Sequence, residues 1–189
     1  HVTDGILSYR LQVIADPETK TQRAILAEVQ GAALRRDFNA VSAFLARVDE
    51  WPADPWILRW GVLVCLGVAQ PQLAIPFWRR ILTFEEDAYA RIGLAKQALE
   101  TGVFDEADFH LTALLQQDPS HGEGWLLRGI VAMQRNAYQQ AEEAFERAKL
   151  SGADSRKASL GIVMAAMGAE RAEAAWSQLM TLCTNEPDD

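Results

Sequence analysis

Residues 88–121 read AYARIGLAKQALETGVFDEADFHLTALLQQDPSH and residues 122–155 read GEGWLLRGIVAMQRNAYQQAEEAFERAKLSGADS. Set one beneath the other, these two 34-residue stretches share their punctuation. Small residues coincide at Ala95 and Gly129, aromatics at Phe104 and Tyr138, alanines at Ala107 and Ala141, and large apolar residues at Leu111 and Phe145. Within each second half, Leu111 with Leu114 and Phe145 with Ala148 have the spacing of one buried helical stripe. A small residue in the first half and an alanine twelve positions later let two helices approach closely. Gly102 interrupts the pattern where the first helix should stop, Pro119 closes its unit, and Ser120 with Glu123 predicts a capping box for the next helix.

The period extends outward. Residues 54–87 form another unit, with Gly61 in phase and Asp54-Pro55 as a helix start. Its second half, Ala74 with Phe77 or Trp78, runs one residue out of register, and Pro76 should kink or delay that helix. Residues 22–53 hold two amphipathic runs, 20–35 and 38–50, ended by Trp51-Pro52. Residues 154–185 carry Gly161, Gly168, Ala172, Ala175, Trp176, Leu179 and Leu182 at spacings off by one or two, which predicts an altered connection in the last hairpin. The domain reading is an N-terminal extension at 1–19, a helical repeat domain at 20–185 and a tail at 186–189. In the extension, Gly5 to Ala15 fits a strand by alternation and a helix by its Leu7, Leu11, Ile14 stripe.

Trp125, Gly129, Tyr138, Ala141, Phe145 and Ala148 together resemble the tetratricopeptide repeat motif, and Ala95, Gly102, Phe104, Ala107, Leu111 and Pro119 resemble it nearly as well. Arg128 stands where the family prefers leucine, and Ala153 replaces the closing proline. The resemblance implies an all-α, right-handed solenoid of antiparallel helix pairs, about five hairpins in all. It also implies a concave groove lined by first helices. Carried over by position, the lining comprises Leu58, Val62, Leu66, Tyr89, Ile92, Lys96, Leu99, Leu126, Ile130 and Met133, with Lys96 and Arg128 as rim charges. Family members that clamp a terminal carboxylate carry polar residues where this chain has Leu58, Ile92 and Leu126, so that activity is disfavoured.

Composition narrows the function classes. The chain has 189 residues, 49% hydrophobic and 23% charged, and its 18 basic against 26 acidic side chains give a net charge of -8. A phosphate backbone or anionic membrane meets no general attraction, so no nucleic-acid partner is expected. Residues 60–78 are uncharged between Arg59 and Arg79, but Gln70-Pro71-Gln72 splits them into pieces too short for a bilayer, so no membrane insertion is expected. Cys65 and Cys183 have no disulfide framework or zinc spacing around them and read as reduced.

No enzyme is expected, and no cofactor or metal. His110 and His121 lie eleven residues apart without a paired motif and read as surface or rim histidines; the glycines are isolated, with no phosphate loop. Glu85-Glu86-Asp87 and Glu142-Glu143 sit at a repeat junction and on a helix start, where the helix dipole accounts for them. Core filling is the expected role of the six tryptophans, with Trp56 and Trp51 the most readily exposed among them.

The functional expectation is a non-catalytic scaffold or adaptor of bacterial type that binds a protein or peptide. Its groove would take an amphipathic helix or apolar segment from a partner, from a second copy or from residues 5–14. Alternatives are a regulatory or substrate-holding region of a larger enzyme, such as a glycosyl- or methyltransferase, and a homodimer packed through Trp51 to Trp60. The chain opens on His1, so targeting is not readable; the cysteines favour the cytoplasm, or the periplasm if a leader was removed.

Overall fold

The structure, a computed structural model, describes residues 27–29, 31, 32, 35, 37–51, 53–67 and 69–185. The expected extension at 1–19, the candidate segment 5–14 and the tail at 186–189 lie outside them. Every described element is helical. The chain divides into two compact units, residues 1–77 and 78–189.

In the first unit, α1 (Phe38–Leu45) starts where the Asp37 carboxylate accepts the Ala40 N–H, and a 3-10 turn follows at Val48–Glu50. Pro55 opens α2 (Pro55–Gly67), with Asp54 accepting from the Trp56 N–H. A 3-10 turn at Pro71–Ala74 leads into α3 (Ile75–Ile81), which crosses the division between the units. Pro76 therefore delays the helix, as its missing N–H dictates, by standing in the first turn, where none is needed. Gly61 lies under Phe77: a Cβ there would come within 2.3 Å of the ring.

Of the two tryptophans read as most readily exposed, Trp51 follows the core-filling reading instead. It is 2% exposed, edge-on to Phe77 at 4.9 Å and tilted against Trp60 at 5.7 Å, and its indole N–H donates to the Phe44 carbonyl at 3.1 Å. Trp56, in contrast, is 58% exposed.

The second unit repeats itself. Its helices are α4 (Ala88–Glu100), α5 (Phe104–Gln117), α6 (Gly122–Gln134), α7 (Tyr138–Leu150), α8 (Ser155–Gly168) and α9 (Ala172–Asn185), each packed on the next. First helices end at Glu100, Gln134 and Gly168, and second helices begin at Phe104, Tyr138 and Ala172, all in 34-residue phase. The last connection is thus unaltered, contrary to the sequence expectation. The turns recur too. Gly102, Asn136 and Glu170 all have positive φ, of 75°, 57° and 59°. In each turn the following N–H reaches back five residues, Val103 to Ala98, Ala137 to Ala132 and Arg171 to Ala166, the hydrogen bond of a Schellman cap.

Only glycine adopts that backbone without crowding Cβ, so Glu170 holds it under strain. Glu170→Gly is expected to stabilise the second unit by roughly 0.5–1 kcal/mol, the strain relieved less the extra freedom gained by the unfolded chain. Urea unfolding followed by helical circular dichroism checks this; an unchanged or lower midpoint contradicts it.

Helix starts differ from the expected capping box in one place. Asp87 and Asp154 cap α4 and α8 through the N–H groups of Ala90 and Lys157, but α6 is capped by His121, whose Nδ1 accepts the Gly124 N–H at 3.1 Å. Ser120 instead donates to Asp118. The seams between pairs are glycine against ring. A Cβ on Gly129 or Gly161 would lie 2.5 or 2.7 Å from the Phe145 ring, one on Gly168 would lie 2.3 Å from Tyr138, and one on Gly93 would lie 2.3 Å from Trp78. Phe145 is therefore wedged between its own first helix and the next one. Trp125 has the Arg128 and Arg147 guanidiniums 5.5 and 4.7 Å from its ring and donates to the Pro119 carbonyl at 2.8 Å, closing the turn that precedes α6.

Candidate binding face

In the second unit the first helices stand side by side, α4 against α6 and α6 against α8. Ile92, Ala95 and Ala98 of α4 form one buried cluster with Ala107, Leu111 and Leu114 of α5 and Leu127 and Val131 of α6; Leu99 and Ile130 pack against it. The next cluster joins Ala132, Ala141 and Phe145 to Ile162 and Ala165 of α8, with Leu126, Ile130 and Met133 packed on it. Five of the ten residues expected in the groove thus meet in these two clusters as half- or fully buried side chains: Ile92, Leu99, Leu126, Ile130 and Met133. Tyr89 is exposed at the start of α4. Lys96 is exposed and pairs with Glu123 at 2.7 Å, tying α4 to α6 along the rim. Arg128, the other expected rim charge, lies over Trp125. Leu58, Val62 and Leu66 belong to the first unit; Leu58 and Val62 are fully buried there, and Leu66 is exposed.

One set of residues escaped the sequence reading. Leu160, Met164 and Met167 stand 34 residues after Leu126, Ile130 and Met133, and they are 51%, 53% and 64% exposed. Their spacing makes a single stripe on α8. The signal was present in the period. Treating the last unit as off-register concealed it.

The ionisable groups of the second unit form local pairs. His110, expected at the surface, is buried on α5. Its Nδ1 lies 3.2 Å from Arg91 Nη1 and its Nε2 lies 3.9 Å from Glu106, which also pairs with Arg79 at 2.8 Å. A guanidinium only donates, so Nδ1 accepts and the ring is neutral. Burial, and then Arg91, hold the His110 pKa below its ordinary 6.5, with Glu106 opposing weakly. Arg91 in turn grips Glu86 with two nitrogens and holds that carboxyl below the usual range. Because the folded-state pKa is depressed, the unfolded chain takes up the proton first. The stability carried by neutral His110 is present above pH 6.5 and is lost as pH falls from there through the folded value. The second unit is expected to weaken over that window, and His110→Gln to flatten the dependence, in urea midpoints measured from pH 8 to pH 5. A slope of equal size in the variant contradicts the assignment.

Among the described residues, no three His, Cys, Asp or Glu side chains are placed to hold a metal ion, and no helix is long and apolar enough to cross a membrane. The hollow beside α7 is walled by Gln139, Glu142, Glu143, Glu146, Arg147, Ala169 and Arg171, with an Arg171–Glu142 ion pair among them.

No family model matches the chain, and no curated protein matches it. Solved structures do. MamA 41-end from Desulfovibrio magneticus RS-1 superposes with a TM-score of 0.68 at 14% identity, over 87% of this chain and 94% of that one. A tetratricopeptide repeat protein from Parabacteroides merdae gives 0.71 at 18% identity, over 90% of this chain and 68% of that one. PilW, described as a type IV pilus biogenesis factor, gives 0.66 at 16% identity, over 95% and 82%. At such identities the likeness speaks for fold alone. Joined to the 34-residue recurrence of helix ends, turns and glycine–ring seams, it gives this chain the tetratricopeptide-type fold of paired antiparallel helices.

Proposed function

We propose that the chain is a non-catalytic interaction scaffold whose second unit receives an apolar or amphipathic segment of a partner protein on the face made by α4, α6 and α8. The observation that carries this is the Leu160, Met164, Met167 stripe, a row of large side chains left in water on a chain of net charge -8. Contiguous apolar surface of this kind marks interaction sites in water-soluble proteins. Methionine side chains suit it, because they are flexible and polarisable enough to fit more than one shape. Tyr89 and the Lys96–Glu123 pair supply the polar edge. Acidic side chains elsewhere and the net negative charge speak against a nucleic-acid ligand.

The proposal includes a reducing compartment, the cytoplasm. Both cysteines are free, and burial pushes the Cys65 thiol up to about 12, which keeps it protonated and unreactive.

A photo-crosslinking amino acid placed at Tyr89 and at Met164 in cells of the native host is expected to trap one discrete protein. The same group at Glu146, exposed on α7, is expected to trap none of it. Equal labelling from all three positions overturns the reading.

A further inference from the structure

Two helices of the second unit are joined towards their open end by a hydrogen bond that a single proton cancels. α4 and α5 form a hairpin, closed at one end by the Gly102 turn and the hydrogen bond from Val103 to Ala98. Ala95, Ala98, Ala107 and Leu111 pack the seam between the two helices. Towards the far end a polar link runs from Arg91 of α4 to His110 of α5, Nη1 to Nδ1 at 3.2 Å. Both side chains are withdrawn from water, 12% and 8% exposed. Phe109 lies against both, its ring centre 5.2 Å from that of the imidazole and 5.7 Å from the guanidinium carbon.

A guanidinium has no lone pair to offer, so the contact exists only while Nδ1 keeps its own. Once Nδ1 takes a proton from solvent, two cations face each other across that distance, and their repulsion is strong because little water reaches them. The charges around them determine where each goes. Glu86, in the connection before α4, already holds Arg91 through both carboxylate oxygens and anchors it away from the ring. Glu106, one turn back on α5 itself, has Oε1 at 3.9 Å from His110 Nε2, and the same oxygen takes Arg79 of α3 at 2.8 Å. An imidazolium closes the first distance and draws that oxygen from Arg79. A link between α4 and α5 is thereby exchanged for one within α5, and the link from α3 to α5 weakens with it.

We propose that Arg91 and His110 form a proton-operated latch: with His110 neutral the open end of the α4/α5 hairpin is shut, and with His110 protonated the ring turns to Glu106 and the first turns of α4 are released from α5. The rest of the hairpin stays packed, because its seam is built from apolar side chains. Burial and Arg91 keep the ring neutral to below its ordinary 6.5, so the latch opens on the acid side of that value. The opening takes place within the folded protein, which separates it from the loss of global stability over the same range.

Hydrogen exchange of the native full chain, without denaturant, and proton–nitrogen correlation spectra of its imidazole rings test this between pH 8 and pH 5. At pH 8 His110 is expected as the Nε2–H tautomer with Nδ1 as acceptor, its signals identified by their loss in His110→Gln. As it titrates below pH 6.5, amide exchange from Ala90 to Ala95, corrected for its intrinsic pH dependence, should quicken about tenfold, while α7 and α8 keep their rates. In His110→Gln, whose amide oxygen can accept from Arg91 at every pH, the acceleration should vanish. Glu106→Gln, which takes away the carboxylate that receives the imidazolium, should move the midpoint of both signals to lower pH.

An Nδ1–H tautomer at pH 8 overturns the proposal, because Arg91 then has no acceptor, and so does a ring still neutral at pH 5. Acceleration that is equal in α4, α7 and α8 is global unfolding alone and removes the latch. Acceleration that survives His110→Gln assigns the transition to another group and removes it as well.

Discussion

Phe145→Ala is expected to lower the unfolding free energy of the second unit by about 3–5 kcal/mol, the range for truncating a buried aromatic. Phe145 is 3% exposed, and its ring fills the space over two glycines on two different helices, Gly129 of α6 and Gly161 of α8. Removing it opens one void shared by both contacts. Collapse would require α6 and α8 to move towards α7 together, which the other seam side chains, Ile130, Met133 and Ile162, resist. Gly161→Ala tests the same wedge from the opposite side, because its Cβ would meet the ring at 2.7 Å, and overpacking of that kind costs about 1–3 kcal/mol. Combined with Phe145→Leu, the residue type found at the same register one period later as Leu179, the Gly161→Ala cost should shrink, so the two changes are coupled rather than additive. Urea unfolding of the two single variants and the double variant gives the coupling directly. Hydrogen exchange should localise the Phe145→Ala loss to α6, α7 and α8. A cost below 1 kcal/mol for Phe145→Ala would mean that the ring is not the wedge the geometry describes.

That wedge is also why so much of the fold could be read from residues alone. A glycine is needed where a ring from the next element lies closer than any Cβ allows, and the ring is needed to fill the space the glycine leaves. The two therefore recur as a pair sixteen residues apart, Gly61 with Phe77 and Gly129 with Phe145, and the same register holds the smaller step of Ala95 with Leu111 between them. Turns were less legible. Their positive φ falls on Gly102, Asn136 and Glu170, and only the first announces itself.

Burial of the candidate lining was less legible still, for a physical reason. A position on a first helix faces the groove and the next first helix at once, so its exposure depends on whether a successor is present. Leu126 and Leu160 occupy the same register, and one is half-covered by α8 while the other stands in water. No property of leucine distinguishes them. His110 escaped for a related reason: a histidine becomes a core residue here because Arg91, nineteen positions away, donates to it.

Trp51, one of the two tryptophans most readily read as exposed, is where burial makes the largest quantitative difference in the first unit. An exposed tryptophan replaced by alanine changes stability by roughly 0.5 kcal/mol or less. With its ring edge-on to Phe77, tilted against Trp60 and 2% exposed, Trp51→Ala should instead cost the first unit about 3–5 kcal/mol. Part of that comes from the Phe44 carbonyl, which loses the indole N–H at 3.1 Å. Trp51→Phe separates the contributions: it keeps a ring against Phe77 but not the hydrogen bond, and should cost about 1–2 kcal/mol. Trp56→Ala, at 58% exposure in the first turn of α2, provides the contrast and should lie within roughly 0.5 kcal/mol of the parent. Hydrogen exchange of α1 and α2 in the three variants ranks them without assuming that the whole chain unfolds in one step. The order Trp51→Ala, Trp51→Phe, Trp56→Ala is required by the packing. If Trp51→Ala and Trp56→Ala exchange alike, Trp51 is a surface residue after all, and the Phe77, Trp60 and Gly61 arrangement does not hold the first unit together.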